Sequence, residues 1–254
     1  VGQSSNGELV RIIERQRSSG IFLTVLGFGT GNYQDEKMQL LANKGNGNHA
    51  YIDTLMEARK VLVEQIGGTL LTIAKDVKIQ VEFNPKRVAS YRLIGYANRK
   101  LAARDFKDDK KDAGELGAGH HVTALYELIP AKGAQKDGGL RYQRRRSTSA
   151  AASGELMHVK LRWKSPRGRK SKLASFPVSD LPGPIGQSSH DHRFATAVLG
   201  FGMLLRKSKH LGGWTWSQVH RMAQSAIGND PGGHRAAFVQ LVRGAAQLSG
   251  VRLH

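Results

Sequence analysis

The sequence predicts the second half of a doubly wound α/β domain, followed by a β-rich region and a set of packing helices. Three observations carry that reading. Residues 21–28 are apolar almost throughout and end in glycines, which suits a strand covered on both faces of a parallel sheet. Val77, Ile79, Val81 and Phe83 then alternate with Lys78, Gln80 and Glu82, the period of a half-buried strand. Beyond residue 193 apolar positions recur at helical spacing.

Ser4, Ser5 and Asn6 are N-cap candidates for a helix over 4–20, with Leu9, Ile12 and Ile13 on its apolar face and Gly20 as its stop. After the strand at 21–28, a helix is expected over 35–43, with Asp35 and Glu36 where the macrodipole favours acids. Gly45-Asn46-Gly47-Asn48 turns into a short strand at His49–Ile52. Asp53 or Thr54 caps a helix to residue 66, with Leu55, Ala58, Val61, Leu62 and Gln65 on one face. Helix, strand, helix, strand, helix is half of a doubly wound domain. The earlier half is therefore expected to precede Val1. Leu23, Val25, Tyr51 and Ile52 are then expected to be partly uncovered, as apolar patches open to aggregation or partner capture.

The β-rich region is expected over 75–180, with strands at 77–83, 88–96, 121–129, 157–163 and 173–178. Five strands without intervening helices point to an antiparallel sandwich. Residues 181–186 (LPGPIG) read as a linker into a helical segment over 187–254. Helices are expected at 193–205, 216–227 and 233–248. The first carries Phe194, Val198, Phe201 and Leu205 on one side; the last carries Ala237, Phe238, Leu241, Val242, Ala245 and Leu248.

Charge is distributed unevenly. The 254 residues carry a net charge of +19, and residues 132–172 hold 13 basic against two acidic side chains, +11 of that total. Stretches of this kind attract nucleic acid, anionic lipid or acidic glycans with little specificity. The absence of cysteine excludes disulfides, thiolate catalysis and cysteine-ligated zinc. No apolar stretch approaches the roughly 18 residues of a membrane span.

Several motifs invite chemistry. Gly27-Phe28-Gly29-Thr30-Gly31 follows a strand, yet its spacing is wrong for a dinucleotide fingerprint. A loop at the carboxyl edge of the sheet suits it better, with Thr30 and Asn32 flanking a ligand face. His190-Asp191-His192 has metal-compatible spacing without an evident third ligand, and Asp191 reads as a helix cap. No Ser/His/Asp arrangement sits on a recognisable elbow, so no catalytic residue is nominated. The mixed-sign run from Asp105 to Asp112 reads as a solvated loop, with calcium chelation as a weaker alternative. Arg144, Arg145 and Arg146, with Arg167, Arg169 and Lys170, interleave with aromatics in a manner open to polyanion contact.

At the level of whole segments the chain resembles a known family. The run from Gly20 to Tyr33 (GIFLTVLGFGTGNY) is similar to the late strand and loop of a von Willebrand factor type A domain. The likeness is strongest to bacterial cell-envelope proteins in which that domain precedes a C-terminal domain of unknown function. Residues 40–48 (LLANKGNGN), 50–53 (AYID), 57–64 (EARKVLVE), 74–85 (AKDVKIQVEFNP), 91–96 (YRLIGY) and 111–119 (KDAGELGAG) continue it, as do Arg193-Phe194-Ala195 and residues 230–235 (DPGGHR). The resemblance implies that residues 1–74 are a partial type A domain. It also implies that full-length relatives hold a divalent cation, Mg or Ca, through an Asp-x-Ser-x-Ser loop, a Thr and an Asp. Those ligands would lie before Val1, so no metal ligand and no cofactor are assigned to this chain. The resemblance further implies a non-enzymatic adhesion or protein-interaction role, toward a protein or cell-surface ligand. The implied location is the bacterial envelope, periplasmic or lipid-anchored. The alternative is a basic module binding nucleic acid or another polyanion through residues 132–172.

Overall fold

A computed structural model describes residues 6–29, 34–95, 100–111, 113–131 and 148–253. The chain divides into two compact units. The first takes Val1–Asn84, Lys100–Val122 and Met157–Val178; the second takes Pro85–Arg99, Thr123–Leu156 and Ser179–His254. The expected boundary at residue 74 falls inside a strand.

In the first unit, α1 (Asn6–Ser18) packs beside α2 (Asp35–Lys44), and Lys44 reaches Glu14 at 3.0 Å. Strand β1 (Val25–Phe28) pairs in parallel with β2 (His49–Ile52), from Val25↔His49 to Phe28↔Ile52. A parallel pair joined through a helix is the βαβ unit that the sequence predicts. The expected strand at 21–28 is shorter because Leu23 instead gives its N–H to the Gly45 carbonyl, ahead of the ladder. Gly47 makes that approach possible, since a Cβ there would stand 1.8 Å from the Leu23 carbonyl oxygen. Leu23, Val25 and Tyr51 are half-buried, whereas Ile52 is buried at 7% exposure. The expectation of an uncovered Ile52 is corrected: α2 and α3 both meet its strand.

The helix expected to residue 66 is broken in three. Thr54 caps α3 (Leu55–Arg59) by accepting from the Glu57 N–H, a π-helical turn covers Lys60–Glu64, and α4 is Ile66–Leu70. A π turn adds a residue to the cycle and rotates the downstream side chains about the helix axis. The expected face therefore does not stay together. Leu55 is 87% exposed and Leu62 is exposed, while Ala58 and Val61 are half-buried.

Strand β3 (Thr72–Phe83) starts five residues before the alternation becomes visible. Its early part pairs antiparallel with β5 (Gly114–Gly117) through two register shifts, and Asp76 at the irregularity has φ +51°. Its later part pairs antiparallel with β7 (Glu155–Lys164), which leads into β8 (Ser171–Ser179), giving the order β5-β3-β7-β8. Pro177 is tolerated because β8 is an edge strand. In the second unit β4 (Val88–Ile94) and β6 (Leu125–Pro130) form a two-stranded antiparallel sheet. The strands of the β-rich region thus divide between two sheets, one in each unit.

The second unit also holds α5 (His190–Leu205), α6 (Trp216–Ser225) and α7 (His234–Leu248). Their core is Ala197, Ala223 and Val239, with Phe194, Met222, Ile227 and Phe238 packed against it. Phe194, Phe238, Phe201 and Trp216 succeed one another edge to face at 5.3, 5.3 and 5.9 Å. Four residues placed on the apolar faces by their spacing point outward instead: Val198, Leu205, Leu241 and Leu248 are exposed. The inward stripe of α5 is Ala197, Gly200 and Met203, whose small members allow close helix approach. Thr215 and Gln218 form a reciprocal capping box at the start of α6. Thr215→Ala is expected to cost about 1 kcal/mol, read as a lower urea midpoint of the helical transition.

Candidate functional site

Two places in the first unit bear on function. One is the carboxyl edge of the β1–β2 pair. Phe28 ends β1 exposed, the Gly29 carbonyl accepts a hydrogen bond from the Tyr51 hydroxyl at 2.9 Å, and Asp35 faces His49 at 3.8 Å. Gln34, Asp35, Glu36, Lys37 and Leu40 line a shallow depression where α2 begins. Thr30 and Asn32, the nominated ligand-face residues, lie outside the described residues, as do Arg144, Arg145 and Arg146.

The other is a cation-held clamp that sequence spacing does not reveal. A 3-10 turn at Ala103–Lys107 and the residues after it lie over one face of β3 and β7. Phe106 is buried there. Lys78 is only 3% exposed, and its Nζ donates to the carbonyl oxygens of Asp105, at 3.3 Å, and Asp108. Lys164 donates at 2.7 Å both to Asp76 Oδ2 and to the Asp109 carbonyl. Arg162 lies over the Phe106 ring at 5.7 Å and donates to Ser171 Oγ at 2.6 Å. The Ser171 side chain, and then its N–H given to Asp109 Oδ2, bond the Asp109 carboxylate and, assisted by the charges of Lys164 and Arg162, hold it below the usual carboxylate range. The reading of 105–112 as a solvated loop is corrected for its first half. Backbone oxygens of Asp105, Asp108 and Asp109 are taken up by the buried Lys78 and the half-buried Lys164, because β3 and β7 present three basic side chains on the face the segment covers.

That occupancy leaves fewer backbone oxygens for the calcium alternative. The carbonyls of Asp105, Asp108 and Asp109 already accept from ammonium groups, which stand where a hard cation would need those oxygens free. Among the described residues no three His, Asp or Glu side chains converge on a metal position. The described residues therefore do not by themselves fit the divalent cation of type A domains. His190-Asp191-His192 likewise builds a helix start. Ser189 is the N-cap, accepting from the His192 N–H, and Asp191 pairs with Arg235. The cap expected at Asp191 thus falls two residues earlier, where the chain leaves extended backbone. Arg235 also donates to the carbonyls of Ala226 and Ile227 and covers the Phe194 ring. Arg167, Arg169 and Lys170 lie exposed on the connection from β7 to β8.

Residues 68–248 match the family described as "Uncharacterized protein YfbK, C-terminal". The chain belongs to this family. It is 42% identical over 244 residues to the uncharacterized protein YfbK of Escherichia coli (strain K12), an alignment covering 95% of this chain and 42% of that protein. The chain thus spans less than half the length of that relative. It also aligns with the crystal structure of the ArnB paralog VWA2 from Sulfolobus acidocaldarius, at TM-score 0.33 and 14% identity, over 87% of this chain and 49% of the other. That structural likeness is too distant to carry an argument. The YfbK C-terminal match begins just before β3 and closes at the end of α7, so it takes in the clamp and the whole helical set. No helix among the described residues is long and apolar enough to cross a membrane.

Proposed function

We propose that this chain is a non-enzymatic interaction protein of the bacterial cell envelope, built from the closing half of a type A domain and a YfbK C-terminal domain. The observation that carries the reading is the parallel β1–α2–β2 unit, whose connection leaves from the carboxyl edge of β1. Ligands meet doubly wound sheets at that edge. Thr30 and Asn32 would flank the ligand face there, while the cation would be held by loops of a preceding half. A protein ligand would then complete the cation's coordination with a carboxylate oxygen, since hard cations take oxygen donors. The resemblance of residues 20–33 supports the assignment, and the greater length of the E. coli relative leaves room for the other half. The YfbK C-terminal part would position this face.

The coding DNA upstream of Val1 tests the proposal. An open frame encoding Asp-x-Ser-x-Ser is expected. The longer chain expressed from it should bind Mg or Ca in calorimetry and lose the binding when the first Asp of that motif becomes Ala. A stop codon directly upstream of a genuine start would sink the cation-dependent role.

A further inference from the structure

The packing of α6 on α7 buries the ring of His220 against a cation, Arg243, whose side chain reaches it from the exposed flank of α7. His220, on the second turn of α6, is 3% exposed and comes directly after Val219, which has no exposed surface. Its Nε2 accepts a hydrogen bond from Nε of Arg243 on α7 at 2.9 Å. A guanidinium can only donate. Nε2 is therefore the unprotonated nitrogen, and the ring carries its single proton on Nδ1. Protonating the ring would set donor against donor and cation against cation in a packed interface.

The surroundings offer the imidazolium little relief. From α7, the charged group that acts on the ring is Arg243. From α5, the inward residues are Ala197, Gly200 and Met203, none of which titrates. The ionisable residues at the start of α5 are His190, Asp191, His192 and Arg193. That end of the helix meets Gly228 and Arg235, beyond the far end of α6. On α6 itself Arg221 is exposed.

We propose that His220 and Arg243 form an acid-released clasp between α6 and α7, closed by the neutral ring and opened by its protonation. Burial first, and the Arg243 charge second, hold the ring's pKa below its ordinary 6.5. When the helices part, the ring regains ordinary affinity for a proton. The clasp is then at full strength above pH 6.5 and loses strength as pH falls from 6.5 toward the folded-state value. Across that window up to one proton is taken up on opening, so the opening constant rises as pH falls, by at most tenfold per pH unit. The Asp191–Arg235 pair cannot supply this dependence, because its carboxyl sits below the ordinary 3.8 and titrates in a more acidic range.

Ring-nitrogen NMR of the full chain between pH 8 and pH 5, with hydrogen exchange of the α6 and α7 amides, tests the clasp. The expected result is an Nδ1–H tautomer for His220 at pH 8 and titration below 6.5. Exchange-derived opening should increase as pH falls below 6.5, by at most tenfold per unit, after correction for intrinsic exchange rates. In His220→Gln the amide oxygen can accept the same bond without titrating, and the increase should vanish. A proton on Nε2 at pH 8, titration at or above 6.5, or an unchanged increase in the variant would overturn the proposal. Should the Gln variant fail to fold, the tautomer and titration of the unaltered chain decide alone.

Discussion

Gly117→Ala is expected to lower stability by about 3 kcal/mol, the upper part of the range for overpacking. In a chain of this size that corresponds to a melting transition about 6–12 °C lower. Gly117 ends β5 opposite Thr72, and the next residue gives its N–H to the Leu71 carbonyl at 2.8 Å. A Cβ at Gly117 would stand 1.6 Å from the carbonyl oxygen of Gly68 and 2.4 Å from its carbon. Those are backbone atoms of α4, so no rotamer change relieves the overlap. Either α4 lifts away or β5 leaves β3. Gly114→Ala on the same strand meets nothing within 4 Å and should stay within about 0.5 kcal/mol of the unaltered chain. Thermal melts followed by circular dichroism compare the two. Equal transitions would mean that α4 and β5 do not approach as closely as described.

The same pair of segments shows which features were readable in the sequence. His49–Ile52, the helix at Asp35 and the helices beginning near Trp216 and His234 announce themselves, because caps and apolar periodicity are properties of neighbouring residues. β5, the four residues Gly114 to Gly117, does not: a short glycine-bearing segment becomes a strand only through its pairing with β3. The π turn at Lys60–Glu64 is similarly silent, since its residues are ordinary helix formers. At the sites, Arg167, Arg169 and Lys170 were legible as an exposed basic group. The clamp was not. Alternation assigns Lys78 to the polar face of β3, and solvent is the ordinary occupant of such a face. Here a distant mixed-sign segment covers it, and only the fold brings those carbonyls to the ammonium group. The outward turn of Leu241 and Leu248 has the same origin, because a stripe of spacing does not say how wide the partner helix is.

Lys164→Met is expected to cost about 1–3 kcal/mol, the magnitude for leaving a largely covered polar group without its partner. Lys164 and Asp76 meet at 2.7 Å with side chains 14% and 18% exposed. The substitution keeps the apolar stem of Lys164 in place, yet it leaves the Asp76 carboxylate without its cation and the Asp109 carbonyl without its donor. Asp76 cannot simply swing into solvent. It sits at φ +51° at the β3 irregularity, and its Oδ1 accepts from the Ala113 N–H at 3.2 Å, tying β3 to the residue before β5. Asp76→Asn combined with Lys164→Met should recover part of the loss, because an amide oxygen can keep the Ala113 bond without an uncompensated charge. Urea midpoints of the single and double variants give the coupling, expected above about 1 kcal/mol for groups in direct contact. A single-variant loss below about 1 kcal/mol would place the pair among screened surface bridges. The segment over β3 and β7 would then be held chiefly by Phe106 burial, Lys78, and the Ser171 and Arg162 contacts to Asp109 and Phe106. The coupling thus measures how far the first unit's sheet depends on charges that are far apart in sequence.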